Sequence, residues 1–261
     1  MSRARAIAAA ALLLLVSALA GLMGSAALSG GEGGGAAALP GAVEGSTDFK
    51  PEAAVADLPR GTSLVATALG RRIRVHRRPD GGATRTVRAR TVRGRRLPLV
   101  FLVKARRKGW VHVHLPTRPN LGTGWLRAAD VRLATTPYRV QVQLRRHRLT
   151  LWKGARALLR TTIGKGKAVS PTPTGRYFVT DLLRPPDPGG FYGPYALGLS
   201  AHSPVYTSFA GGNGQVGIHG TNRPDALGRD VSAGCIRVDN RAITRLARLL
   251  PLGTPVDISG A

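Results

Sequence analysis

From about Leu58 onward, apolar and polar positions alternate over short spans, which predicts β-strands rather than long helices. Trp110 to Leu115 alternates, with Val111, Val113 and Leu115 on one face. Leu97, Leu99, Val100, Phe101, Leu102 and Val103 form a compact apolar run. Asn120 to Gly124 and Pro79-Asp80-Gly81-Gly82 are turns, and Trp125 opens another strand. So many short strands within residues 58–135 predict a small β-barrel.

A second region starts near Pro137. Tyr138, Val140, Val142 and Leu144 alternate with Arg139, Gln141, Gln143 and Arg145. Arg146-His147-Arg148 turns the chain into Leu149 to Trp152, and Lys153-Gly154 turns it again into Leu158 to Ile163, a β-meander with one buried face. Pro171-Thr172-Pro173-Thr174-Gly175 leads into a strand over Arg176 to Thr180. Residues 184–215 are rich in proline, glycine and aromatics, among them Phe191, Tyr192, Tyr195 and Tyr206, and are expected to form a long irregular lid or binding loop. Near the end Asp239 caps one helix carrying Ile243, Leu246, Ala247 and Leu250. Pro251 and Gly253 stop it, and Val256 and Ile258 mark a closing strand.

The first 57 residues read differently. Arg3 and Arg5 precede an uncharged stretch from Ala6 to Gly31 with an apolar centre over Ile7 to Leu22. Residues 1–28 are therefore expected to be a secretory signal peptide, or an uncleaved membrane anchor with the rest of the chain outside. Residues 29–57, rich in Gly and Ala, are expected to be a flexible linker. The chain would then work in the cell envelope, in the wall or periplasm. Of its 39 basic residues 33 are arginine, and the net charge is +26, of which +17 falls on residues 60–135. In a cytosolic protein this would point first to nucleic acid. Export redirects it toward anionic cell-wall polymer and peptidoglycan carboxylates. No specific nucleic acid is expected as partner, and membrane contact only through the amino-terminal segment.

The chain has one cysteine, which excludes an internal disulfide. Cys235 sits in Val231-Ser232-Ala233-Gly234-Cys235-Ile236-Arg237, sixteen residues after the histidine of Gly217-Ile218-His219-Gly220-Thr221. A free thiol is a liability outside the cell unless it is used. An imidazole that takes the thiol proton leaves a thiolate–imidazolium pair, the nucleophile of acyl transfer through a thioester. His219 is placed as the base, and the Gly220 carbonyl can hold its tautomer in place of a carboxylate. The amides of Gly234 and Cys235 are candidates for an oxyanion hole.

His219-Gly220-Thr221, Ser232-Ala233-Gly234-Cys235-Ile236-Arg237 and Pro171-Thr172-Pro173-Thr174-Gly175, in that arrangement, resemble the L,D-transpeptidase (YkuD-like) catalytic domain over about residues 137–258. The resemblance implies a mixed, mainly antiparallel β-sandwich with a mobile lid, and one or two short helices. It also implies a reaction. The cysteine attacks the carbonyl of the third residue of a peptidoglycan tetrapeptide stem, D-alanine leaves, and an amine of a second stem takes the acyl group. The nucleophile and acid/base roles fall on Cys235 and His219. The family often carries a second histidine where this chain has Ala233, which bears on local hydrogen bonding rather than on the base. Upstream, Gly109-Trp110-Val111, Thr123-Gly124-Trp125-Leu126 and Ala128-Ala129-Asp130-Val131 resemble a bacterial SH3-like domain.

Arg237 is a candidate to hold a stem carboxylate. Ser232 either contacts substrate or shapes a turn, and Tyr192 either lines the donor cleft or anchors the lid. His112 and His114 alternate on one strand face with no third ligand nearby, so a metal is not expected. No cofactor is required. Water as acceptor would turn the same site into an L,D-carboxypeptidase, and an inert thiol would leave a non-catalytic wall-binding protein.

Overall fold

The computed structural model describes residues 58–92, 94–208 and 212–260. The signal or anchor and the linker expected over residues 1–57 lie outside the described residues.

The first half is built from β1 (Ser63–Ala68), β2 (Arg72–His76), β3 (Ala83–Arg88), β4 (Thr91–Val92), β5 (Arg95–Arg96), β6 (Val100–Arg107), β7 (Trp110–His114), β8 (Thr123–Arg127) and β9 (Val131–Thr136). Seven of these pair in the order β3-β2-β8-β7-β6-β1-β9, while β4 and β5 pair with each other. The period-2 pattern is realised directly. Val111 and Val113 of β7 are fully buried beside Leu64, Phe101 and Leu126. His112, on the other face, stacks flat on Trp125 with ring centroids 4.7 Å apart.

The second half holds β10 (Tyr138–Gln143), β11 (Arg148–Lys153), β12 (Arg156–Thr162), β13 (Lys165–Gly166), β14 (Gly175–Leu183), β15 (Ala196–His202), β16 (Gln215–His219), β17 (Asp230–Ser232), β18 (Ile236–Arg237), α1 (Asn240–Leu249) and β19 (Pro255–Ser259). Eight strands form one sheet in the order β12-β11-β10-β19-β14-β15-β16-β18. It is mainly antiparallel, with parallel pairs β10/β19 and β16/β18. The helix packs Ile243 and Leu246 into a core that includes Leu149, Leu151, Leu197, Leu199, Ile218 and Ile236. Asp239 caps it as expected: Oδ1 accepts from the Ala242 N–H at 2.8 Å, and Oδ2 accepts from Thr161 Oγ1 at 2.9 Å.

One expectation is corrected. Residues 184–215 are not one irregular lid, because β15 runs through them and buries Leu197, Leu199 and Ala201. The irregular parts among the described residues are 184–195, 203–208 and 212–214. The glycines and prolines on either side masked a short apolar alternation that is buried in the sheet.

The two halves meet along an apolar seam. Val100 and Leu102 of β6 pack with Phe178 of β14, and Leu252 lies against them. Gly253, at φ 86°, is pressed so closely to Val65 that a Cβ there would lie 2.3 Å from a Val65 methyl. Phe178 is fully buried at this seam. Phe178→Ala should therefore cost about 3–5 kcal/mol of unfolding free energy, measured by chemical denaturation.

Candidate active site

His219 ends β16, and β18 runs parallel beside it with Ile218 opposite Ile236 and His219 opposite Arg237. Extending that register one residue back brings Cys235 to the level of Gly217. Residues two apart share a face of a strand, so Cys235, Arg237 and His219 face the same way. Cys235 and His219 line one cavity of about 280 Å³, together with Arg237, Tyr192, Phe191 and Tyr206 among others.

His219 is buried, with 2% of its surface exposed. Its Nδ1 lies 2.6 Å from the carbonyl oxygen of Gly220. A carbonyl only accepts, so Nδ1 carries the proton and Nε2 is left as an acceptor. This is the orienting contact expected from the sequence. Gly220 is also a site of close approach. A Cβ on it would fall 2.3 Å from Asn240 Oδ1, the oxygen that accepts from the Thr221 N–H at 2.9 Å. Asn240, which begins α1, thus braces the motif from below.

Cys235 is half-buried and follows a tight turn. Gly234 has φ 121°, a conformation that side chains rarely adopt. Ser232 Oγ donates to the Cys235 carbonyl at 2.6 Å and accepts from the Gly234 N–H at 3.1 Å. Two corrections follow. The Gly234 amide is already bonded within the turn, so it is not available as an oxyanion donor. Ser232 spends its hydroxyl on the same turn, so it shapes the backbone at Cys235 rather than binding substrate. The Cys235 amide has no acceptor among the described residues. Two residues of the Pro-Thr-Pro-Thr-Gly region complete the support. Thr172 Oγ1 donates to the Gly234 carbonyl at 2.9 Å, and Ser170 Oγ donates to the Ser232 carbonyl at 3.2 Å.

Tyr192 belongs to the site. Its ring meets the His219 ring edge-on at 4.9 Å, and the Phe191 ring lies 5.7 Å from that imidazole. Arg237 places its guanidinium 4.6 Å over the Phe191 ring, while its Nε is buried with no hydrogen-bond partner. The turn carrying these aromatics is set by Gly193, at φ 63°, where a Cβ would lie 2.7 Å from the Gly220 Cα. Phe191 was named from sequence only as one aromatic of the expected loop, with no site role of its own. Its signal was the Phe-Tyr pair inside a glycine-rich stretch, which marks a loop without saying what it covers.

The electrostatics differ from the expected ion pair. Burial lowers the His219 pKa to about 4, against the Gly220 hydrogen bond that raises it and with the Arg237 charge that lowers it further. Burial pushes the Cys235 thiol up, opposed by a backbone hydrogen bond at Gly217 and by Arg237. Both shifts favour a neutral thiol and a neutral imidazole, because a low-polarity cavity penalises each charge more than the neighbours repay. Among the described residues no three His, Cys, Asp or Glu side chains converge to hold a metal.

The family model for the YkuD L,D-transpeptidase catalytic domain matches residues 137–258. YkuD of Bacillus licheniformis is 38% identical over 125 residues, covering 48% of this chain and 67% of that protein. YkuD of Bacillus subtilis is 37% identical, covering 48% and 68%. Among solved structures, that of Bdellovibrio bacteriovorus Bd1075 is 25% identical with a TM-score of 0.37, covering 48% of each chain, so this chain spans about half its length. On the identity and coverage of the two Bacillus relatives, the chain belongs to the YkuD family, with residues 137–258 as its L,D-transpeptidase catalytic domain.

Proposed function

We propose that this chain is an exported peptidoglycan L,D-transpeptidase that works through a Cys235 thioester. The observation that carries the reading is that the base and the thiol line one cavity, with the imidazole tautomer held by the Gly220 carbonyl. As the sulfur attacks the carbonyl of the third stem residue, Nε2 of His219 takes the thiol proton. The Cys235 N–H faces the developing oxyanion. The imidazolium then gives its proton to the nitrogen of the departing D-alanine, and the thioester forms. An amine of a second stem attacks the thioester and loses its proton through Nε2, and the thiol is regenerated with the new amide bond. Arg237 takes the stem carboxylate, and Tyr192 and Phe191 cover the intermediate from water.

The wider reading follows the chain's composition. The apolar run behind Arg3 and Arg5 supports export, and the excess of positive charge over residues 60–135 supports contact with anionic wall polymer. The seven-stranded unit serves as an SH3-like accessory domain beside the catalytic one.

Purified protein should exchange or cross-link tetrapeptide stems, followed by mass spectrometry of the products. Cys235→Ala should abolish turnover, and His219→Ala should lower kcat/KM by at least ~10²-fold. Full activity in the cysteine variant would end the assignment. The pH profile tests the neutral pair. An imidazole with a pKa of about 4 stays unprotonated from neutral pH down to mildly acidic conditions, so kcat/KM should not collapse near pH 6.5. A thiol raised by burial should alkylate with iodoacetamide faster at each step from pH 7 to pH 9. A flat alkylation rate across that interval would instead identify a standing thiolate.

A further inference from the structure

The catalytic cavity is walled in part by Ser203, Tyr206 and Gly214, from the segment that leaves β15 and returns to β16. Residues 204–208, 212 and 213 of that segment are solvent-exposed. Its anchor comes from the other half of the molecule. Arg118, between β7 and β8, donates from Nη1 to the Ser203 carbonyl at 2.9 Å. From Nη2 it donates to the carbonyls of Tyr206, at 2.8 Å, and Asn213, at 3.4 Å. One guanidinium thus ties the outgoing limb of the segment to its returning limb. Gly214 is packed under the same group, where a Cβ would lie 2.9 Å from Arg118 Nη2. Two residues further on, Asn120 pairs reciprocally with the His202 backbone. Its Nδ2 donates to the His202 carbonyl at 2.7 Å, and its Oδ1 accepts from the His202 N–H at 2.9 Å. Arg90 makes a third link, donating to Gln215 Oε1 and lying 3.6 Å from the buried Asp181 carboxylate.

We propose that the amino-terminal β unit is a structural part of the catalytic cleft, with Arg118 as the positioning residue that fixes the wall formed by Ser203–Tyr206 and Asn213–Gly214, against which a stem peptide is held. The guanidinium is planar, with donors spread in a rigid fork, so it holds carbonyls on two limbs at a set separation. An ammonium is a point charge and does not reproduce that spread. The guanidinium of Arg118 bonds Ser203, Tyr206 and Asn213 rather than Cys235 or His219, so its loss should alter how substrate is held and leave the reacting pair intact. The inference rests on the reading of the cavity as a stem-peptide site.

The test compares full-length wild type with Arg118→Met and Arg118→Lys. In Arg118→Met, KM for a tetrapeptide stem should rise about tenfold with kcat changed less than about threefold. Amide hydrogen exchange should quicken selectively over residues 203–214, and the iodoacetamide rate of Cys235 should stay at the wild-type value. Arg118→Lys should recover less than half of the lost affinity. An unchanged KM together with unchanged exchange over 203–214 would overturn the proposal, as would exchange that quickens equally throughout the chain. If Arg118→Met does not fold, the same criteria are applied to Arg118→Lys. If wild type turns over no stem peptide, the stem-peptide reading fails on its own. The exchange of 203–214 and the thiol rate then still decide whether Arg118 holds that wall.

Discussion

Everything at the site depends on one short hydrogen bond, from His219 Nδ1 to the carbonyl of the next residue. A buried imidazole with both nitrogens unpaired is costly, and one paired at the wrong nitrogen points its lone pair away from the thiol. Bonding to the neighbouring carbonyl solves both problems without a carboxylate. It needs a residue at 220 whose backbone can come close to Asn240 and Gly193, and only glycine leaves that space. The family motif His-Gly-Thr is, in this chain, a statement about packing around α1 as much as about chemistry.

The absence of a carboxylate behind the histidine, among the described residues, has an electrostatic result. In a triad the third group stabilises the imidazolium. Here a carbonyl dipole takes its place, and a nearby guanidinium works in the opposite direction, so the histidine is a weak base and, once protonated, a strong acid. That balance suits the departure of an amine, which needs a proton donated to it. In the mechanism proposed above, the carbonyl under attack accepts the sulfur while the proton moves.

The parts of the fold with strict alternation were legible in the chain. Val111 and Val113, Val140 and Val142, and the Asp239-capped helix lie where the pattern puts them. The parts that were not legible are those in which composition and burial disagree. Strand β15 is short and flanked by glycine and proline, so its alternation was outweighed by its surroundings. At the site, the two motif side chains and the Gly220 carbonyl were readable because their chemistry is local. The hydrogen bonds of Ser232, Thr172 and Ser170 were not, because they depend on how a turn closes. Phe191 and Arg118 make their contacts with residues distant in sequence, and no local spacing announces them.

The half-buried sulfur has a further consequence for how long the protein survives. Peroxide attacks the anionic form of a cysteine and leaves a sulfenic acid, which goes on to irreversible products. A sulfur kept protonated by its surroundings is slow in that reaction. The cavity that disfavours ionisation of this sulfur therefore also slows its oxidation.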